Sequence, residues 1–148
     1  MTAQITGNFS KAKELIEKLK ASSQKAVYVG FPAEFDKKVE GSDNFNLASL
    51  AAVLEFGNER IPSRPFLRQT LAENQNKYID LFVNLIGKGI SVEQVYDQVA
   101  LIAQGDVQLN IAKGDWVANA KSTIKRKGSS KPLIDTGKMR QSVRGIVK

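Results

Sequence analysis

The 148-residue chain contains no cysteine and no histidine. The first absence rules out disulfides, thiolate metal sites and cysteine nucleophiles. The second removes the commonest general base near neutral pH and the commonest zinc ligand, which leaves hydrolase and metalloenzyme chemistry without its usual agents. Long apolar runs are missing as well. No stretch reaches the roughly 20 residues that a membrane-spanning helix needs, and Met1 to Lys20 has neither the basic start nor the unbroken apolar core of a signal peptide. The expectation is a protein that is neither secreted by that route nor embedded in a membrane.

What remains is ordinary for a folded domain. Apolar residues make up 42% and charged residues 25%, values that argue against wholesale disorder, and the length suits a single domain over 1–148. Net charge is +7. From Lys121 to Lys148 there are nine basic residues against Asp135 alone, whereas residues 1–120 carry thirteen basic and fourteen acidic residues, so all of the net positive charge lies in the last fifth of the chain.

Periodicity supplies a coarse map. Leu15, Ile16 and Leu19 fall on one face of a helix beginning near Ser10, a suitable N-cap, with that face expected to pack. Lys25 to Phe31 is a β-branched and aromatic run ended by Pro32, which predicts a strand. Glu34 to Asn46 is polar and reads as an exposed loop or hairpin tip. Leu47, Leu50, Ala51 and Leu54 predict a helix that Gly57 terminates as a left-handed residue. Pro65 suits the first turn of a second helix, which the spacing of Leu67, Leu71, Tyr78, Leu81, Phe82 and Leu85 extends to Gly87-Lys88-Gly89. Ser91 caps a third helix carrying Val92, Val95, Tyr96, Val99 and Ile102, with the register blurring past Gly105. The segment around 120–138 reads as a basic extended arm. Ser142 to Val147, where Ile and Val alternate imperfectly, then suits a last strand, pairing with the first. The fold class expected is α+β: a small antiparallel or mixed sheet, with strands near 25–31 and 141–147, packed against about three to four helices.

Two stretches stand out. Leu54-Glu55-Phe56-Gly57 runs into Ile61-Pro62-Ser63-Arg64-Pro65-Phe66, where two prolines restrict Ile61 and Arg64 to extended backbone and stiffen the link between helices. One reading holds Glu55, Arg60 and Arg64 for a partner or for each other, Arg64 offering a forked contact to a carboxylate. The plainer reading makes Phe56 and Phe66 core anchors and pairs one arginine with Glu55 inside the subunit. Further on, Asp135-Thr136-Gly137 is turn chemistry, with Asp135 as an N-cap and Lys138, Met139 and Arg140 opening a short helix or turn. Catalysis by Asp135 would need a second acid, base or metal ligand, and none lies near it in sequence; pairing it with Glu55 would require distant segments to bring the two carboxylates together. Lys125-Arg126-Lys127 can grip phosphates by displacing counterions, but it lacks interleaved aromatics, and no Gly-x-x-x-x-Gly-Lys precedes Lys127-Gly128-Ser129. A solvated arm, or a contact with an acidic protein surface, fits the same run.

Taken in order, Ala52 to Gly57, Ile61 to Leu67, Thr123-Ile124 to Ser129 and Pro132 to Ser142 resemble the virion morphogenesis proteins of tailed bacteriophages and prophages, the small neck or tail-completion proteins. The resemblance covers most of the chain from about Leu47 onward. It implies a non-enzymatic structural protein that joins or finishes the head–tail junction. Its partners would be other neck or tail proteins and further copies of itself in a ring, with DNA in the channel as a further contact. No cofactor, metal, small-molecule substrate or membrane is implied. Such a protein is made in the bacterial host cytoplasm and ends in the virion. The residues expected to carry interactions are Glu55, Arg60, Arg64, Lys125, Arg126, Lys127, Asp135 and Arg140. The alternative is a basic accessory protein that binds DNA through its C-terminal segment.

Overall fold

A computed structural model describes residues 9–39, 41–128, 132–133 and 137–148. In chain order its elements are α1 (Ser10–Ser22), β1 (Val27–Gly30), a 3-10 turn (Ala33–Phe35), α2 (Leu47–Phe56), α3 (Phe66–Glu73), α4 (Gln75–Gly87), α5 (Val92–Lys113), α6 (Lys121–Lys127), α7 (Lys138–Ser142) and β2 (Arg144–Val147). The class is α+β, as the patterning predicts, with helices dominant.

The first and last strands pair antiparallel, Val27 opposite Val147 and Gly30 opposite Arg144, so the chain closes on itself across more than a hundred residues. Alternation puts Val27 and Val29 on the face that meets the helices and Tyr28 on the outer face, where it is 55% exposed. A two-stranded ribbon is marginal by itself. Here α5 covers its inner face, and Gly145 is the point of closest approach. A Cβ built on Gly145 would lie 2.2 Å from the Ala100 carbonyl oxygen. The Gly145 N–H in turn donates to Gln104 Oε1 at 3.0 Å.

Helix α5 is the common wall of two apolar clusters. Val95 and Val99 pack with Leu85 of α4 at one end. Val107 and Ile111 pack with Leu47, Ala51, Phe66, Met139 and Val143 at the other. Ser91 caps it as expected, its Oγ accepting from Gln94 N, and the helix runs unbroken through Gly105 to Lys113. The long second helix predicted from Pro65 to Gly87 is instead two. Asn74 sits between them with φ −103° and ψ 9°, its Nδ2 donating to the Thr70 carbonyl at 2.8 Å. The Asn74 N–H donates to the same carbonyl at 3.1 Å, so the backbone bond is kept across the break, which apolar spacing alone does not register.

Two further expectations change. Ser10 opens α1 without acting as its cap, the preceding position being Phe9. The apolar face of α1 is also not packed: Leu15, Ile16 and Leu19 are each about half exposed. The helix is fastened near its C-terminal end, where the Tyr96 hydroxyl donates to the Ser22 carbonyl at 2.6 Å. Within the 34–46 segment, after the 3-10 turn, Lys38 and Asn46 form an antiparallel bridge that makes a hairpin, and Asn46 then caps α2 by accepting from Ser49 N.

Between α4 and α5, the Tyr78 hydroxyl donates to Asp106 Oδ2 at 2.9 Å, and Lys77 Nζ reaches both oxygens of the same carboxylate at 2.8 Å. Burial, the hydrogen bond and the neighbouring negative charge, in that order, push the Tyr78 phenol above its ordinary range. A phenol raised in the folded state contributes stability that is complete below the unfolded value of about 10 and declines as pH rises beyond it. Tyr78→Phe is expected to cost about 1 kcal/mol at pH 7. Urea midpoints measured from pH 8 to 11 should fall less steeply for the variant than for the parent chain.

Candidate docking groove

The connection from α2 to α3 folds back on its own start. Gly57 has φ +71°, and a Cβ there would meet Ser63 N at 2.6 Å and Ile61 O at 2.7 Å, so both the dihedral and the space call for glycine. Its ψ is extended, so it ends α2 without the usual left-handed geometry. Asn58 Oδ1 accepts from the N–H groups of Arg60 and Ile61, Ser63 Oγ donates to the Glu55 carbonyl, and Arg64 N donates to the Leu54 carbonyl. The stiffness read from the two prolines is therefore reinforced by hydrogen bonds along the loop.

Glu55 lies beneath this loop at 3% exposure. Its Oε2 accepts from Leu67 N at 2.9 Å, and its Oε1 accepts from Arg68 N at 3.0 Å and Arg68 Nε at 2.9 Å. The last turn of α2 thus caps the first turn of α3, a task that Pro65 has no side-chain acceptor to perform. The arginine that meets Glu55 is neither Arg60 nor Arg64 but Arg68, whose guanidinium also lies 4.7 Å from the centre of the Phe56 ring. Phe66 is a core anchor with no exposure, whereas Phe56 is 64% exposed and serves as the platform for Arg68.

Arg64 points the other way and is 2% exposed. It meets no carboxylate among the described residues. Its Nε donates to the Val117 carbonyl at 2.9 Å, and its Nη2 donates to Asn119 Oδ1 at 3.1 Å and the Ala118 carbonyl at 3.4 Å. Burial holds the guanidinium below its ordinary pKa. The fork that suits a carboxylate here grips a peptide segment across the chain. That segment is anchored again by Trp116, whose Nε1 donates to the Asn110 carbonyl, while Asn110 Nδ2 donates to Thr70 Oγ1 of α3.

Held in this way, residues 114–120 lead into α6, where an extended arm was expected. Lys121 to Lys127 form a short helix ended by Gly128 in the left-handed region, and Lys127 Nζ reaches the Pro132 carbonyl at 3.4 Å. Met139 of α7 and Leu133 are buried in the larger core cluster and so belong to the body.

Between the α2–α3 loop, α6 and α7 lies a groove of about 350 Å³. Its floor is apolar, formed by Leu47, Leu50, Leu54, Ile61, Leu133 and Met139. Its rim carries Lys38 from the hairpin, Arg60 from the loop, Arg126 and Lys127 from α6, and Lys138 from α7. No aspartate or glutamate lines it among the described residues.

Of the residues singled out from sequence, Arg60, Arg64, Arg126 and Lys127 are brought together on this groove. Glu55 underlies the loop, Lys125 lies on the exposed side of α6, and Arg140 is engaged through its backbone carbonyl by Gln108 Nε2. Asp135 falls outside the described residues. Sequence reasoning did not single out Lys38, Arg68 or Lys138. For Arg68 a signal existed: a carboxylate at the end of one helix, a short rigid link, and a helix N-terminus lacking a polar cap.

Fold and groove together define a small α+β domain in which buried polar side chains shape a concave, cationic, apolar-floored surface. No family model matches the chain, and neither a curated protein nor a solved structure matches it significantly.

Proposed function

We propose that this chain is a structural virion assembly protein of a tailed phage or prophage, joining or completing the tail at the head–tail interface through protein–protein contacts. One observation carries the reading. The two stretches on which the resemblance rests, and the basic run between them, border a single groove although they lie some seventy residues apart in sequence. The groove is braced by Arg64, while Glu55 fixes the loop beneath it. With its carboxylate occupied by three donors, Glu55 serves geometry, which suits a docking surface better than a reactive centre. Further copies of the chain in a ring, and other neck or tail proteins, are the partners this reading implies.

Deleting the reading frame from a phage that carries it is expected to leave filled heads and finished tails unjoined in electron micrographs, with infectious yield all but abolished. The wild-type chain supplied in trans should restore yield. A chain with Arg60→Glu and Arg126→Glu, both exposed positions, should not restore it although folded. Normal yield from the deletion would end the proposal.

The exposed Lys125 and Arg126 of α6 also favour a second reading, in which the chain binds duplex DNA. It requires affinity that falls steeply with salt and drops further when Lys125, Arg126 and Lys127 are replaced. Absence of binding at low salt would remove it.

A further inference from the structure

Resting on the docking reading above, we infer that the occupant of this groove is an acidic protein segment carrying apolar anchor residues, with its side chains inserted between the α2–α3 loop and α6. The argument begins with what the groove combines. Leucine, isoleucine and methionine side chains line the floor, and covering them with apolar groups removes that surface from water at roughly 25 cal/mol per Å². Around them stand cations from four separate segments, with no carboxylate among the described lining residues. Lys38, Arg60 and Arg126 are exposed and form no salt bridge among the described residues.

The separate origins of those charges bear on the kind of anion. A phosphate or a single carboxylate is held by donors that converge on one point, often as a fork. Here the cations ring an apolar floor and come from a hairpin, a loop and two helices, which suits several carboxylates spread along a peptide. A DNA duplex meets the charge requirement but not the apolar one, since its phosphates contact basic surface and would leave Leu50, Leu54 and Ile61 in the groove without a partner. At about 350 Å³ the groove lies near the lower end of the roughly 300–1,000 Å³ range of ligand pockets, a size suited to a few inserted side chains. Arg64 keeps the opposing wall in place before anything binds, so less ordering is needed on association.

The test is selection from a random twelve-residue peptide library on the full-length chain, counter-selected on the Arg60→Glu, Arg126→Glu chain. Both substitutions are at exposed positions, and Trp116 fluorescence checks that the variant is folded. Enriched peptides are expected to be strongly acidic and to carry one or two Leu, Ile, Phe or Met residues. The best of them, made synthetically, should lose about tenfold or more in affinity when its Glu and Asp become Gln and Asn, and again when its apolar residues become Ser. It should lose a similar factor on the double variant, and on Lys38→Glu measured separately. Neutral or basic peptides, peptides retained equally by the variant, or no enrichment would each overturn the inference. So would a 20-base-pair duplex that displaces every selected peptide and depends on the same three residues, since the groove would then belong to nucleic acid. Failure here with heads and tails still unjoined in the deletion leaves the assembly role standing with a different partner chemistry. Acidic peptides selected alongside normal virion yield would reverse that outcome.

Discussion

Replacing Gly145 with alanine is expected to destabilise the domain by about 3 kcal/mol or more, at the upper end of what overpacking costs. The added Cβ would sit 2.2 Å from the Ala100 oxygen and 2.7 Å from its carbonyl carbon. Both are main-chain atoms in the middle of α5, so no side chain can turn aside to make room. Relief requires moving β2 away from α5, which stretches the Gly145 bond to Gln104 and opens the cluster around Val143. A control sits on the partner strand. Gly30 has nothing within 4 Å of its would-be Cβ and no positive φ, so Gly30→Ala should be neutral or should stabilise by about 0.4–1 kcal/mol through the unfolded chain. Urea titrations of the two variants separate the cases. An unchanged midpoint for Gly145→Ala would mean that the sheet does not rest on α5 as described.

Glu55→Ala is the second large loss expected, at about 2–4 kcal/mol. It strips acceptors from the N–H groups of Leu67 and Arg68 at the start of α3, each costing about 1–3 kcal/mol if left unsatisfied and less where water enters. It also removes a negative charge from a helix N-terminus, worth about 0.3–1 kcal/mol. The ion pair with Arg68 is the smaller part, because the Arg68 side chain is 58% exposed and such pairs contribute about 1 kcal/mol or less. The order of effects follows: Arg68→Met should cost far less than Glu55→Ala, with Glu55→Gln between them, since the amide keeps one acceptor oxygen. Thermal and urea unfolding of the three variants tests that order. Equal losses from Arg68→Met and Glu55→Ala would make the ion pair, and not the cap, the reason for burying this carboxylate.

The legible parts of the fold were those written in local chemistry. The Val27–Gly30 strand, the Ser91 cap of α5 and the helix before Gly57 each follow from residue types within a few positions of one another. The pairing of β1 with β2 was legible because only two segments had strand character. The break at Asn74 was not, since the apolar spacing continues past it. The exposure of α1 was hidden for a different reason: an amphipathic pattern states which face wants cover and not whether the monomer supplies it. At the groove, composition identified Arg64 and the 125–127 run but not their relation. Arg64 grips residues 117–119, more than fifty positions away, through the Asn119 side-chain amide and two main-chain carbonyls, which every residue possesses and which leave no mark in sequence. Glu55 and Arg68 stand thirteen positions apart, a spacing with no meaning until the proline-bounded loop reverses the chain.

The length of α5 has one more consequence. Its 22 residues span about 33 Å, with the Leu85 cluster at one end and the Phe66 cluster, which underlies the groove, at the other. β1 divides in the same way, Val27 packing on the first cluster and Val29 on the second. Neither cluster can open without exposing apolar surface on elements the other also needs, so the domain behaves as one thermodynamic unit. A segment held in the groove therefore acts on the far end without touching it. By mass action its binding free energy is added to the cost of every opening that unmakes the groove, including openings that begin at Val95, on the opposite side of the molecule.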